Sequence, residues 1–279
     1  MIEKTEAIVL KSMRYRDSSR IVTFYSDRFG KISGIAKGAR SAWNKFGASL
    51  EPLTYVALVL YKKEGRELHL ISQCDTLRHH KNIQSDLERL PSGLAMVELL
   101  NQVTHEEEQN PALFDLLRGS LHALEVSSRG ANSVFLAFAL RLAGLFGYRP
   151  EFRKCLRCGG LLSSESGTHR ILFSAPKGGF YCRSCSGHLD ETEYEAFRGE
   201  KSVRRPDVAG IAGTPLIRIS VPAAKLLERL SSVSMDRVTS LAFGDSMGNE
   251  LLELVRLYLQ SHFDDLRMPR SLTMFQAKV

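Results

Sequence analysis

Hydrophobic and polar positions along the chain follow two different periods, and the change comes near Cys74. Before it, apolar residues fall in short runs separated by turn residues. Glu67-Leu68-His69-Leu70 alternates polar and apolar, as a half-buried strand does. This pattern predicts strands over Glu6–Arg16, Arg20–Ser26, Lys31–Lys37, Leu53–Lys62 and Glu67–Cys74. Asp27-Arg28-Phe29-Gly30 and Lys62-Lys63-Glu64-Gly65-Arg66 read as hairpin turns between them. Five short strands so closely spaced fit a small closed barrel, for which the five-stranded oligonucleotide-binding (OB) barrel is the leading form. Another small barrel, or half of a sandwich, has the same strand count.

After Cys74 the spacing becomes helical. Leu87, Leu90, Leu94, Val97 and Leu100 share one face, with Pro91-Ser92 a possible boundary between two helices and Ser92 its cap. Asn110-Pro111 opens a helix running from Ala112 to Val126, and Asn132 is expected to cap another from Ser133 to Phe146, stopped by Gly147. Val134–Phe146 is the most apolar run. It is too short to span a bilayer and contains Arg141, so it reads as a buried helix. Helices resume over Ala223–Leu230 and Gly248–Phe263. Together these apolar faces predict a helical bundle.

Four of the five cysteines form two C-x-x-C pairs, Cys155/Cys158 and Cys182/Cys185, with 23 residues between the pairs. Each pair points two thiolates at one centre, and two pairs close a tetrahedral S₄ site suited to one structural Zn²⁺. Such a set leaves no open coordination position for catalysis. It can supply about 10–16 kcal/mol of apparent binding energy to a segment with little core. Arg153, Lys154, Arg157 and Arg183 flank it, placed either to meet phosphate or to offset the thiolate charge. The Gly- and Pro-rich stretch from Gly199 to Pro215 reads as a linker. The expected division is therefore 1–80 barrel, 81–150 first helical part, 151–205 cysteine module and linker, and 206–279 helical completion. The fold class is α+β, an OB-type barrel followed by a helical bundle with an inserted Cys₄ module.

Charge sharpens the picture. The chain carries a formal net charge of +7, and the Lys11–Lys45 segment alone, with nine basic residues against Asp17 and Asp27, holds an excess of the same size. A concentrated basic segment with interleaved aromatics points to a polyanion. Trp43 and Phe46 lie in a polar loop, Arg40–Ser49, and are expected to be exposed, Trp43 being a candidate stacking or partner contact. Phe24 alternates with Val22 and reads as core. The amino-terminal MIEKTEAIVL lacks the form of a secretory leader, and the cysteine usage suits a reducing cytoplasm.

Other motifs count for less. Gly244-Asp245-Ser246-Met247-Gly248 matches G-x-S-x-G, but the acid and histidine that should follow the serine are missing in the required order. Asp245 or Ser246 as a helix cap is the better reading. His79-His80 and His105-Glu106 have no second ligand pair and are expected at surface element ends. No phosphate-binding loop or dinucleotide fingerprint occurs, and no catalytic residues are expected.

The order of parts resembles the bacterial RecO family of recombinational repair mediators. The resemblance is carried by EAIVLKSMRYRDSSRIVTFYSDRFGKISGIAKGARS, NPALFDLLRGSLHALE and PEFRKCLRCGG…GFYCRSC. It covers essentially the whole chain and implies the zinc-containing branch. It also implies a non-enzymatic, cytoplasmic and nucleoid-associated protein. Such a protein binds single- and double-stranded DNA, anneals complementary strands and acts with RecR to help load RecA onto SSB-coated DNA, in some members through the SSB tail. The DNA-binding segment it implies falls on Lys37 and Arg40, with Arg14, Arg16, Arg20 and Lys45 nearby and Arg204-Arg205 a second contact; Trp43, from the loop's composition, joins this DNA-binding set. An RNA-binding or ribosome-associated barrel with a zinc ribbon would use the same parts.

Overall fold

The structure, a computed structural model, describes residues 1–41, 44–63, 65–165, 167, 170–186, 208–211 and 214–272. The chain divides into two compact units, Met1–Phe138 with the residues from Arg267 onward, and Ala139–Leu266.

The first unit opens with β1 (Ile2–Tyr15), β2 (Ser19–Ser26), β3 (Gly30–Ala36), β4 (Tyr55–Tyr61) and β5 (Leu68–Arg78). They close into a barrel in the order β1-β2-β3-β5-β4, with β3 and β5 parallel and the other pairs antiparallel. β1 is long because it serves two neighbours: Ile2–Ile8 pair with β4 and Ala7–Tyr15 with β2. A bulge between Val9 and Lys11 bends it from one partner to the other, which is how a short sheet turns a barrel corner. Inward positions are filled by Val9, Val22, Phe24, Ile32, Val56, Leu58 and Ile71. Phe46, Leu50 and Ala39, from the loop after β3, join the same core. Phe46 is only 5% exposed, which corrects the expectation that it stands free in a polar loop. Lys45 beside it stays exposed while the ring goes into the barrel core.

The helices of this unit are α1 (Lys81–Ser85), α2 (Arg89–Val103), α3 (Pro111–Val126) and the start of α4 (Ala131–Leu145), which continues into the second unit. Asn110 caps α3, its Oδ1 accepting from the Leu113 N–H at 3.2 Å. Two expected caps are corrected. Ser92 is buried inside α2, whose entry is fixed by Asp86 Oδ1 accepting from the Glu88 and Arg89 N–H groups. Pro91 sits in the first turn of α2, where the missing N–H costs nothing. Asn132 lies within α4, because the helix already starts at Ala131. His80, expected at the surface, is buried and bonds the Leu53 carbonyl oxygen at 2.7 Å. Leu53 is held at a φ of 72°, so this bond fixes a backbone conformation that L residues disfavour.

Barrel and helices are joined by the Thr104–Gln109 loop. Lys31 donates to the carbonyl oxygens of Asn101 at 3.0 Å and Thr104 at 2.5 Å, at the C-terminal end of α2. Glu107 bridges Lys62 at 2.9 Å and His69 at 3.0 Å. A Cβ at Gly30 would lie 1.9 Å from the Glu108 carbonyl oxygen, so only glycine admits this loop. The C-terminal residues return to α2, with the Arg267 N–H donating to Gln102 and the Arg270 N–H to Glu98.

In the second unit, β6 (Glu151–Cys155), β7 (Arg170–Ser174), β8 (Gly179–Tyr181), β9 (Val208–Ile211) and β10 (Thr214–Ser220) make one sheet in the order β6-β8-β7-β10-β9. The linker reading of Gly199–Pro215 is corrected here. Its residues 208–211 and 214–215 belong to strands, and β10 pairs directly with β7. Glycine and proline content hid a strand whose apolar side chains, Leu216, Ile217 and Ile219, follow the proline and are buried. α5 (Arg183–Ser186), α6 (Val221–Ser232), α7 (Met235–Val238) and α8 (Asp245–Gln260) complete the described elements. Arg141 of α4 donates to the carbonyl oxygens of Leu230 and Val233 at the end of α6. Gly244, rather than Asp245 or Ser246, is the N-cap of α8, and the element before it is the short helix α7. The nucleophile elbow needs a strand there, so the G-x-S-x-G motif is a helix start.

Candidate nucleic-acid interface and metal centre

The β1–β2 turn and the loop after β3 meet at one end of the barrel. Arg14 stands opposite Arg20, and Arg20 opposite Ala36, so Lys37 follows directly beside them. Arg16 occupies the β1–β2 turn with a φ of 51°. Gly38, at φ 71°, turns the chain after β3. The Arg40 N–H then donates to the Ser18 carbonyl oxygen at 2.9 Å, and its guanidinium to the carbonyl oxygens of Asp17 and Arg16. Five of the expected contact residues, Arg14, Arg16, Arg20, Lys37 and Arg40, are thereby brought together.

Their side chains are not equivalent. Arg14 and Lys37 are exposed, with no hydrogen-bond or ion-pair partner among the described residues. Arg16 is exposed, with its guanidinium over the Tyr15 ring. Arg20 is half-buried, bound to Glu51 at 2.7 Å and Ser12 at 3.2 Å. Lys45 reaches the Ser72 carbonyl oxygen at 2.7 Å and lies over the Phe46 ring. Trp43, Arg204 and Arg205 lie outside the described residues. Two members of the basic segment are committed to the fold. Arg28 bonds the Lys4 carbonyl oxygen and pairs with Glu3. Lys31 is tied to α2, and burial there draws its ammonium below the usual lysine range while Glu106 opposes that.

The four paired cysteines converge in the second unit. Their sulfur atoms all lie within 4.8 Å of one another, and Cys158 Sγ is 3.7 Å from Cys182 Sγ. β6 and β8 run parallel, with Cys155 in register with Phe180, so the two C-x-x-C segments leave neighbouring strands side by side. After Cys155 the chain turns back on itself, the Gly159 N–H donating to the Cys155 carbonyl at 3.0 Å and the Cys155 N–H to the Gly160 carbonyl at 2.8 Å. Gly159 takes a φ of 71° in that turn. The Cys182 N–H points at Cys155 Sγ across 3.3 Å. Burial alone would push the Cys155 thiol up, but N–H groups of Cys158, Cys182 and Arg157 together hold it down at about 6. A thiolate met by backbone donors and three further sulfurs can hold a metal ion. Cys74, the fifth cysteine, is buried in the barrel and its thiol is pushed up to about 11.

No helix among the described residues is long and apolar enough to cross a membrane.

Comparison with known proteins agrees with this architecture. The family model described as recombination protein O N terminal matches residues 1–80, and that described as recombination protein O C terminal matches 84–198. A DNA repair protein RecO of Chloroherpeton thalassium is 32% identical over 281 residues, covering 100% of both chains. One from Chlorobium limicola is 28% identical over 98% of this chain and 97% of its own. One from Nocardioides is 36% identical over 66% of this chain and 75% of its own.

Proposed function

The chain belongs to the RecO family of DNA repair proteins, and from that premise we propose that it is a non-enzymatic mediator that holds DNA at the Lys37 end of its barrel. It binds single and double strands, anneals complementary strands, and acts with RecR to help load RecA onto SSB-coated DNA, with the SSB tail a further contact. Its setting is the cytoplasm, at the nucleoid. The observation that supports this reading is the convergence of five basic residues at one barrel end, with Arg14 and Lys37 exposed and without a partner among the described residues.

The roles divide by what each side chain already does. Arg14, Arg16 and Lys37 meet phosphate. Arg40, fastened to the β1–β2 turn, sets where Arg16 stands and adds charge. Arg20 and Lys45 are held to the barrel and contribute field more than contact. Trp43 is a stacking contact, and Arg204 and Arg205 a second basic site. Contacts to backbone rather than base edges carry no sequence choice. A cationic edge shared by two strands lowers the repulsion that opposes their annealing.

The metal in this reading is one structural Zn²⁺ on Cys155, Cys158, Cys182 and Cys185. A tetrahedral zinc with Zn–S near 2.3 Å needs sulfurs about 3.8 Å apart, and the 3.7 Å between Cys158 and Cys182 fits. When bound, zinc contributes folding energy to the β6–β8 end of the sheet and no reaction chemistry. The functional test is an annealing assay on SSB-coated complementary strands, with and without RecR. Acceleration that requires Lys37 supports the proposal, and no acceleration in either condition rejects it.

A further inference from the structure

The four cysteines of the second unit share one centre but differ in their access to solvent. Cys155 is buried, Cys182 and Cys185 are half-buried, and Cys158 is exposed. The Cys155 sulfur is also met by the Cys182 N–H at 3.3 Å. After Cys158 the chain continues as Gly159-Gly160. A Cβ added at Gly160 would lie 3.3 Å from Cys158 Sγ, so glycine leaves that side of the sulfur bare. Cys158 is thus the cysteine of the centre that a small solute reaches most readily. Its sulfur stands 3.7 Å from that of Cys182, on the other C-x-x-C segment.

An accessible cysteine poised beside a second thiol is the arrangement in which cysteine oxidises reversibly. A thiol that ligates a metal is deprotonated, and the thiolate is the nucleophilic form. The local fold is also sensitive to the loss of these ligands. β6 and β8 pair at Glu151–Gly179 and Cys155–Phe180, with an irregular register between them. The Leu156 N–H adds one bond to the Phe180 carbonyl oxygen at 2.8 Å. With so short a ladder, this end of the sheet draws its closure from four sulfurs meeting at one ion.

We propose that the four-cysteine centre is a peroxide-responsive switch, in which Cys158 attacks the oxidant and Cys182 resolves the product. Cys158 Sγ attacks one oxygen of hydrogen peroxide. The O–O bond breaks, hydroxide leaves, and Cys158 becomes a sulfenic acid. The Cys182 thiolate then attacks Cys158 Sγ. The S–O bond breaks, a second hydroxide leaves, and the Cys158–Cys182 disulfide forms. Two electrons pass from the two sulfurs to the peroxide, which ends as two waters after taking two protons from solvent. Two of the four ligands are thereby withdrawn, and Cys155 and Cys185 alone do not close a tetrahedral site. A dithiol reductant reverses the step by exchange through a mixed disulfide. The switch rests on the reading of these cysteines as a structural zinc site, and adds a response that a purely structural site does not need.

The test treats the zinc-loaded full chain with hydrogen peroxide. Released zinc is read with a metallochromic dye, and disulfides by mass spectrometry of unreduced peptides. The expected result is release of most of the zinc with Cys158–Cys182 as the main disulfide. Amide exchange should rise over β6, β8 and α5 while the barrel is unchanged, and dithiothreitol with added zinc should restore the starting state. Cys158→His keeps a ligand of a kind that zinc accepts and removes the attacking sulfur. It should release zinc at least about tenfold more slowly at the same peroxide concentration. Zinc retained by the unaltered chain under peroxide overturns the proposal and leaves the structural site standing. Release with any other main pairing also overturns it, as does a zinc-loaded Cys158→His chain as sensitive as the unaltered one. If that variant loads no zinc, the pairing mapped in the unaltered chain decides. A chain that carries no zinc before treatment rejects the metal reading itself.

Discussion

Arg40 donates from its guanidinium to the Asp17 carbonyl oxygen across 3.2 Å, tying the loop after β3 to the β1–β2 turn. This bond makes two segments distant in sequence into one basic edge, on which some charges are held by the fold and others stand exposed.

Arg40→Ala is therefore expected to act partly through the turn. Amide exchange at residues 16–18 should rise, and DNA affinity should fall about three- to tenfold. Lys37→Ala, which breaks no bond among the described residues, should leave exchange unchanged. It should reduce the salt dependence of binding by about one phosphate contact. Hydrogen-exchange mass spectrometry with salt titrations checks both. Identical exchange in the two variants would contradict the positioning role.

Lys31 belongs to the basic segment by sequence but is tied to the end of α2 in the fold. Replacing it with Met removes the donor to the Asn101 and Thr104 carbonyl oxygens. The expected cost is about 1–3 kcal/mol of stability, as for buried acceptors left unpaired, with faster exchange at the end of α2. DNA affinity per folded molecule should change little. Denaturant unfolding and a binding titration measure the two effects separately.

His80 supplies a pH dependence. Burial holds its imidazole below the usual histidine value, while the bond to the Leu53 carbonyl and the charge of Glu125 oppose that and Arg78 and His122 add to it. The unfolded chain takes up this proton near pH 6.5 and the folded chain does so only at lower pH. Unfolding thus binds a proton between those values. The stability from neutral, buried His80 is complete above about pH 6.5 and declines as pH falls. His80→Gln should flatten the difference in urea midpoint between pH 8 and pH 5.5 relative to the unaltered chain. An unchanged slope would show that another group sets it.

Cys158→Ser should release the metal from the second unit. Elemental analysis should read one zinc per chain before substitution and much less after. Exchange should rise over β6, β8 and α5, while the barrel keeps its protection. A fully protected, zinc-free variant would show that the cysteines need no metal to hold the sheet.

Local signals made much of the fold readable. Gly30 and the alternation around Val22 and Phe24 placed two strands of the barrel, and Asn110-Pro111 marked the start of α3 because cap and first-turn proline coincide. Asn132 misled because its own helix begins a residue earlier, where Gly130 accepts the first bond. β10 was hidden because Pro215 opens it, and proline in a paired strand is uncommon. Phe46 was misplaced because loop polarity says nothing about one ring that turns inward. At the basic edge, charge was visible but commitment was not. Whether Lys31 or Lys37 is free depends on which carbonyls the helices bring near, and that is set by tertiary packing.

The central claim is that the exposed cations at the Lys37 end of the barrel hold the nucleic-acid backbone. The direct measurement is oligo-dT affinity by fluorescence anisotropy across a series of salt concentrations, for the unaltered chain and for Arg14→Glu/Lys37→Glu. Neutralising about four to six phosphates gives a log–log salt slope of roughly −3 to −4. The double variant should bind at least about tenfold more weakly, with a shallower slope. Unchanged affinity and an unchanged slope would contradict the claim.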